Sequence, residues 1–211
     1  KGINVYGDVR DAPPVRHEPG LFAQHVLDRF EDRAIESEGR LRNYPIRHHF
    51  LTRIFALAEL RRLGDEPSVS SIVDFQRRHK HLLMTYDQGK MRRLGAIAAN
   101  QEGVEISELY ESYASLFREA IREPPDRASY VNTLSHMYGH FKEELSTDER
   151  EEFFSMIDEY RACRLPLHAL IAVVRSWCSR FRYNYFADQS ILEPYPRELI
   201  MMRDSGKGVD F

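Results

Sequence analysis

The side chains in this sequence best equipped for chemistry crowd into FQRRHKHLLM, Phe75 to Met84: two arginines, a lysine and two histidines within ten residues. That mix suits two kinds of work. Imidazoles beside cations support acid–base catalysis on an anionic substrate. Guanidinium and ammonium groups on one helix also hold a polyanion, such as the phosphates of a nucleic acid. A catalytic reading would use Arg77, His79, Lys80 and His136, but no nucleophile or carboxylate pair accompanies them in the sequence. Nor is there a glycine-rich phosphate loop, a GxSxG, an HExxH or a cysteine quartet. His136 and His140 are four apart, the spacing by which a helix offers two imidazoles to one metal ion. No carboxylate joins them at a ligand spacing, so no metal is assigned. His48 and His49 are adjacent and point apart on a helix. Cys163 and Cys178 stand in no CxxC pair and read as small buried hydrophobes, a usage that fits a reducing, cytoplasmic setting.

A helix must position the central cluster. Ile72, Phe75, Leu82 and Leu83 recur at helical spacing, which gives the segment a buried stripe. His79 falls on that stripe near Phe75 and Leu82, while Arg77, Arg78, Lys80 and His81 spread around the rest. Ser68 or Ser70 caps this helix and it runs to Tyr86. Asp87 opens another through Met91, Leu94 and Ala98. Leu109 to Ala120 forms one stopped by Pro124 and Pro125. Asp126 caps the next, which carries Tyr130, Leu134, Met137, Phe141 and Leu145 on one inner face. Ser146 with Glu149 is a capping box, and Pro166 begins the last long helix. Upstream, Pro45 suits a helix first turn, and Ile46, Phe50 and Ile54 form a stripe ending near Gly64. Short helical pieces around Ala187 and Arg197 close the series. After Gly39 the period never switches to two. The expected fold class is all-α, a single multi-helix domain preceded by a short extended and helical segment.

With 42% hydrophobic and 30% charged residues among 211, the composition is that of a globular chain. No apolar run approaches the length of a membrane span. The net charge of −3 hides an asymmetry. Residues 40–100 hold 12 basic and 5 acidic groups, and residues 101–163 hold 6 and 15. A basic third invites an anionic partner, unless the two segments are neighbouring helices that neutralise each other.

Residues 1–20 read as extended, with Ile3 to Tyr6 alternating like a short strand. LFAQHVLDRF then forms a short amphipathic helix with Phe22, Val26, Leu27 and Phe30 on one side. These pieces are too few for a domain and read as the end of something that begins before Lys1. The expected organisation is therefore 1–42 as a remnant and linker, 43–203 as the helical domain and 204–211 as a tail.

The segments FQRRHKHLLM, NTLSHMYGHFKEELSTDER, EYRACRLPLHAL and YPRELIMMR occur in that order at spacings that resemble the YbgA-like family, a helical domain of unknown function. The resemblance covers roughly residues 43–203. The family has an aromatic where His140 stands, which counts further against a metal. In many bacteria the domain follows a thiouracil-desulfidase-like domain, and residues 20–41 look like that domain's closing segment. The resemblance implies a two-domain desulfidase of 4-thiouridine in transfer RNA. Its upstream half carries a four-iron four-sulfur cluster and its helical half binds the RNA. Cys163 and Cys178 do not match the cluster ligands, so the chain alone is expected to hold no cofactor and no catalytic residue. Its expected partners are transfer RNA and the upstream domain, with no membrane. The expected RNA contacts are Arg77, Arg78, Lys80, Arg92, Arg93 and Lys142. Asn132 and His136, beside an apolar stripe, join His79 as polar groups suited to buried hydrogen bonds or, less directly, to base contacts. The alternatives are a small-molecule enzyme built on a His/Arg/Lys pocket, or a structural domain that braces the upstream half.

Overall fold

The computed structural model describes residues 20–30 and 33–200, all of them helix, turn or loop. The fold class is all-α. The strand read at Ile3–Tyr6 and the tail at 204–211 lie outside the described residues. Two units divide the described chain, one up to Ile54 and one from Phe55 to Ile200. In the first lies α1 (Leu21–Arg29), whose apolar face is bare: Leu21 is 90% and Phe22 82% exposed. A short 3-10 turn, Arg40–Arg42, precedes α2 (Tyr44–Leu63), which begins in this unit and continues into the second.

The second unit is built around α3 (Val69–Tyr86). It is followed by α4 (Gln88–Ala99), α5 (Ile106–Ala120), α6 (Arg127–Tyr138), α7 (Thr147–Arg161), α8 (Leu167–Phe181) and the single turn α9 (Asn184–Ala187). The starts follow local chemistry. Ser68 and Ser71 exchange bonds as a capping box on α3, Asp87 and Asp126 accept from the third residue of α4 and α6, and Ser146 with Glu149 boxes α7. Asn100 and Arg182 end α4 and α8 in the left-handed conformation.

One helix is shorter than its apolar period. α6 ends at Tyr138, and residues 139–145 turn instead, with Phe141 N–H donating to Tyr138 O and Glu144 N–H to Phe141 O. Gly139 and His140 are weak helix formers, and the turn still buries both Phe141 and Leu145. The main core gathers Met137, Phe141, Phe153, Val174, Trp177 and Phe186 from α6 to α9. A second set, Phe75, Tyr113 and Phe117, packs α3 on α5, with the Phe75 and Phe117 rings 5.0 Å apart.

The end of α2 is sealed by a close approach. Tyr110 Oη donates to Leu60 O at 3.0 Å, and a Cβ on Gly64 would collide with that hydroxyl and its ring. Gly64→Ala should therefore destabilise the fold by about 1–3 kcal/mol, read from urea midpoints. Adding Tyr110→Phe should recover part of the loss, and a neutral Gly64→Ala would show that Tyr110 moves aside freely.

Candidate functional site

Helix α3 carries functional side chains on two sides, and both are held by the residues that follow α9. On the first side His79 is 1% exposed, its ring 4.2 Å from Phe75. Its Nε2 lies 3.1 Å from Glu59 Oε2, and its Nδ1 2.8 Å from Ser190 Oγ. The tautomer follows from the partners. A carboxylate only accepts, so Nε2 carries the proton; Nδ1 is then a lone pair, and the Ser190 hydroxyl donates to it. Burial lowers the His79 pKa, against the opposing bond to Glu59. Burial acts to raise Glu59, but the hydrogen bond from His79 and the nearby charges outweigh it and hold the carboxyl below its usual range. Glu59 also pairs with Arg78 at 3.3 Å. Neutral imidazole beside ionised carboxylate is thus the resting state. This relay borders an open cleft of about 800 Å³ lined by Glu59, Arg77, Arg78, Ser190, Glu193 and Arg197, among others.

On the second side sits His81, also 1% exposed. The helical pattern placed it among the exposed residues; it is buried because Gln189 and the α9 rings cover it. Gln189 Oε1 accepts from both the Nδ1 of His81 at 2.6 Å and its backbone N–H at 3.2 Å. His136 lies 5.7 Å away by ring centroids and Phe186 5.4 Å away. His140, on the turn past α6, is 5.4 Å from His136. Burial pushes His81 down to about 4, and every charge that adds to this effect is cationic: His136, Lys80 and His140. His140 is lowered by burial and then by His136 and Lys80.

The other expected site residues are distributed as follows. Arg77 meets Asp74 at 3.6 Å and Lys142 meets Glu143 at 3.5 Å, both on the surface. Arg92 and Arg93 are exposed on α4, and Lys80 is exposed on α3. None of these three has an ion pair among the described residues. Asn132 and His136 are exposed rather than buried, because the apolar stripe of α6 turns Val131, Thr133, Leu134 and Met137 inward instead. Cys178 is buried, which pushes its thiol up to about 11, but Cys163 is exposed on the turn after α7. No three metal-ligating side chains converge on one point among the described residues.

Sequence reasoning missed Glu59, Gln189 and Ser190. They lie 20, 108 and 111 positions from their histidines, and no motif marks them. A buried histidine does need partners, but that need names no residue.

The family of the chain follows from comparison. The family described as "Protein of unknown function (DUF1722)" matches residues 80–196, from Lys80 through the segment that holds Gln189 and Ser190. The chain belongs to this family. A relative described as "Uncharacterized protein YbgA", from Escherichia coli (strain K12), is 27% identical over 158 residues, which is 74% of this chain and 93% of the relative. No solved structure matches the chain significantly. The matched DUF1722 span contains the whole second side of α3, whereas Glu59 and His79 precede it.

His81 makes the stability of this DUF1722 chain depend on pH. The folded chain binds the His81 proton more weakly than the unfolded one, whose ordinary value is near 6.5. That contribution is complete above 6.5 and drains as pH falls towards 4, by roughly 3 kcal/mol in the limit. Urea midpoints across this window should fall less steeply for His81→Phe than for the native chain. Parallel profiles would show that His81 titrates as an exposed imidazole.

Proposed function

We propose that the chain is an RNA-binding accessory domain, with transfer RNA as the ligand. In the parent protein it would follow a desulfidase-like catalytic half that removes sulfur from 4-thiouridine. The observation that carries this reading is the second side of α3. Lys80 is exposed and in no ion pair among the described residues, and the His81, His136 and His140 rings gather beside it on this side. Such a surface accepts an anion without first breaking an ion pair. Arg92 and Arg93 are similarly uncommitted, which gives a polyanion further phosphate contacts. Arg77, Arg78 and Lys142 already face carboxylates and contribute less. The bare apolar residues of α1, Leu21 and Phe22, support an attachment to an upstream domain. No helix among the described residues is long and apolar enough to cross a membrane, and a cytoplasmic location is part of the proposed RNA-binding reading.

A second reading has its own observation. Ser190, His79 and Glu59 form a hydrogen-bonded nucleophile, base and carboxylate beside the cleft, the order used in acyl transfer. It supplies the nucleophile and the carboxylate that the sequence around His79 lacks.

The two readings separate in solution. In a salt titration of transfer-RNA binding, replacing Lys80, Arg92 and Arg93 with Ala should weaken binding and reduce the slope of log affinity against log salt by about 0.7–0.9 per lost contact. Replacing Arg77 and Arg78 should change the slope less. Equal affinities and slopes throughout would remove this surface from the account. For the second reading, a fluorophosphonate probe should label the native chain at Ser190 and leave Ser190→Ala unlabelled; an unlabelled native chain assigns the relay to stability alone.

A further inference from the structure

His81 presents an unmet valence. The orientation of Gln189 is fixed by its own donors: Nε2 gives one bond to Arg77 O at 2.9 Å and another to Tyr185 O at 3.4 Å. Oε1 is therefore the atom that faces His81, and the His81 proton stands on Nδ1. Nε2 is left as a lone pair. It is buried and has no hydrogen-bond partner, a condition that native interiors rarely leave unanswered. The rings packed around the His81 ring are those of His136, Phe186 and Tyr185, the last 6.3 Å away by centroids. Phe186 is buried, whereas His136 and Tyr185 are exposed side chains, so two of the three rings around His81 lie at the surface.

We propose that Lys80, His81, His136 and His140 form a subsite for one ribonucleotide of the bound RNA, in which Nε2 of His81 accepts a hydrogen bond from the ribose 2′-hydroxyl. This rests on the RNA-binding reading and deepens it. The chemistry selects the ligand in two steps. Lys80 is an exposed cation and the His136 and His140 imidazoles beside it are exposed donors, so a phosphate is drawn to them. The buried group is an acceptor and cannot bond a phosphate oxygen, which carries no proton at neutral pH. What it needs is a donor beside the phosphate. On every ribonucleotide the 2′-hydroxyl stands next to the 3′-phosphate, whatever the base, and DNA has none. A base amine would meet the same need only at particular sequences. The buried lone pair thus turns a cationic surface, which by itself binds either nucleic acid, into one that recognises RNA by its sugar.

The experiment compares three versions of one hairpin with the full chain: ribose, 2′-deoxy, and 2′-fluoro, which keeps the A-form shape but lacks the donor. The native chain should bind the ribose form about tenfold more tightly than the 2′-fluoro form, as expected for one net hydrogen bond. In His81→Phe the ribose and 2′-fluoro forms should bind equally, with the salt slope unchanged. Lys80→Ala should weaken all three alike and lower the slope. Equal binding of the ribose and 2′-fluoro forms by the native chain overturns the subsite, and needs no variant that must fold. A preference that follows base identity instead of the sugar assigns the donor to a base and overturns it as well. Failure of the native chain to bind any of the three is a different result, because it removes the RNA reading itself.

Discussion

The second unit depends on how the polar side chains of α3 are satisfied. A helix at the centre of a bundle has little solvent to turn to, and an unpaired buried polar group costs about 1–3 kcal/mol. α3 nevertheless carries Gln76, His79, His81 and Thr85, and each is met from elsewhere in the chain. Gln76 accepts from Tyr113 of α5 at 2.7 Å and donates to Met91 O of α4 at 3.2 Å. Thr85 donates to His81 O at 2.9 Å and accepts from Thr133 of α6 at 3.0 Å. His79 reaches Glu59 on α2 and Ser190, and His81 reaches Gln189. The apolar stripe drives the burial of α3, while these bonds fix its rotation and its register against four helices and the Gln189–Ser190 segment. Apolar packing alone tolerates small slides; directional bonds do not.

That division explains what was legible in advance. Periodicity located the helices, and the Ser68, Asp87, Asp126 and Ser146 caps located several of their starts, because both are local properties. His79 was legible too, since it shares a face with Phe75. His81 was not. Its position on the helical wheel is polar, and it is buried by the α9 rings and by Gln189 just after them. Phe141 and Leu145 were assigned to the right interior by the wrong element. Their spacing satisfies a helix, yet Gly139 and His140 let the chain leave α6 and reach the same core by a tighter turn.

The histidines illustrate the same limit from the functional side. Sequence spacing singled out His136 and His140 as a pair on one helix. The structure brings their rings together although His140 has already left the helix, and adds His81 from α3. What makes the group distinctive is the fixed tautomer of His81 and the unpartnered Nε2 that it leaves, and neither can be read from spacing. Conversely, the excess of basic residues in 40–100 was visible at once, but it divides in three dimensions. Arg77 and Arg78 face carboxylates, whereas Lys80, Arg92 and Arg93 do not. Formal charge counts both kinds alike.

Gln189 and Ser190 are neighbours, yet between them they hold Arg77 O, Arg78 O, the His79 ring and His81 along more than a full turn of α3. This dipeptide works as a ruler one residue long. A single insertion or deletion between α9 and Ile191 would move both side chains off their partners together, and no rotamer change would restore them. Length variation among descendants of this chain should therefore collect in connections such as 100–105 and 122–126, while the spacing from Phe186 to Ile191 stays constant even as the residues within it drift.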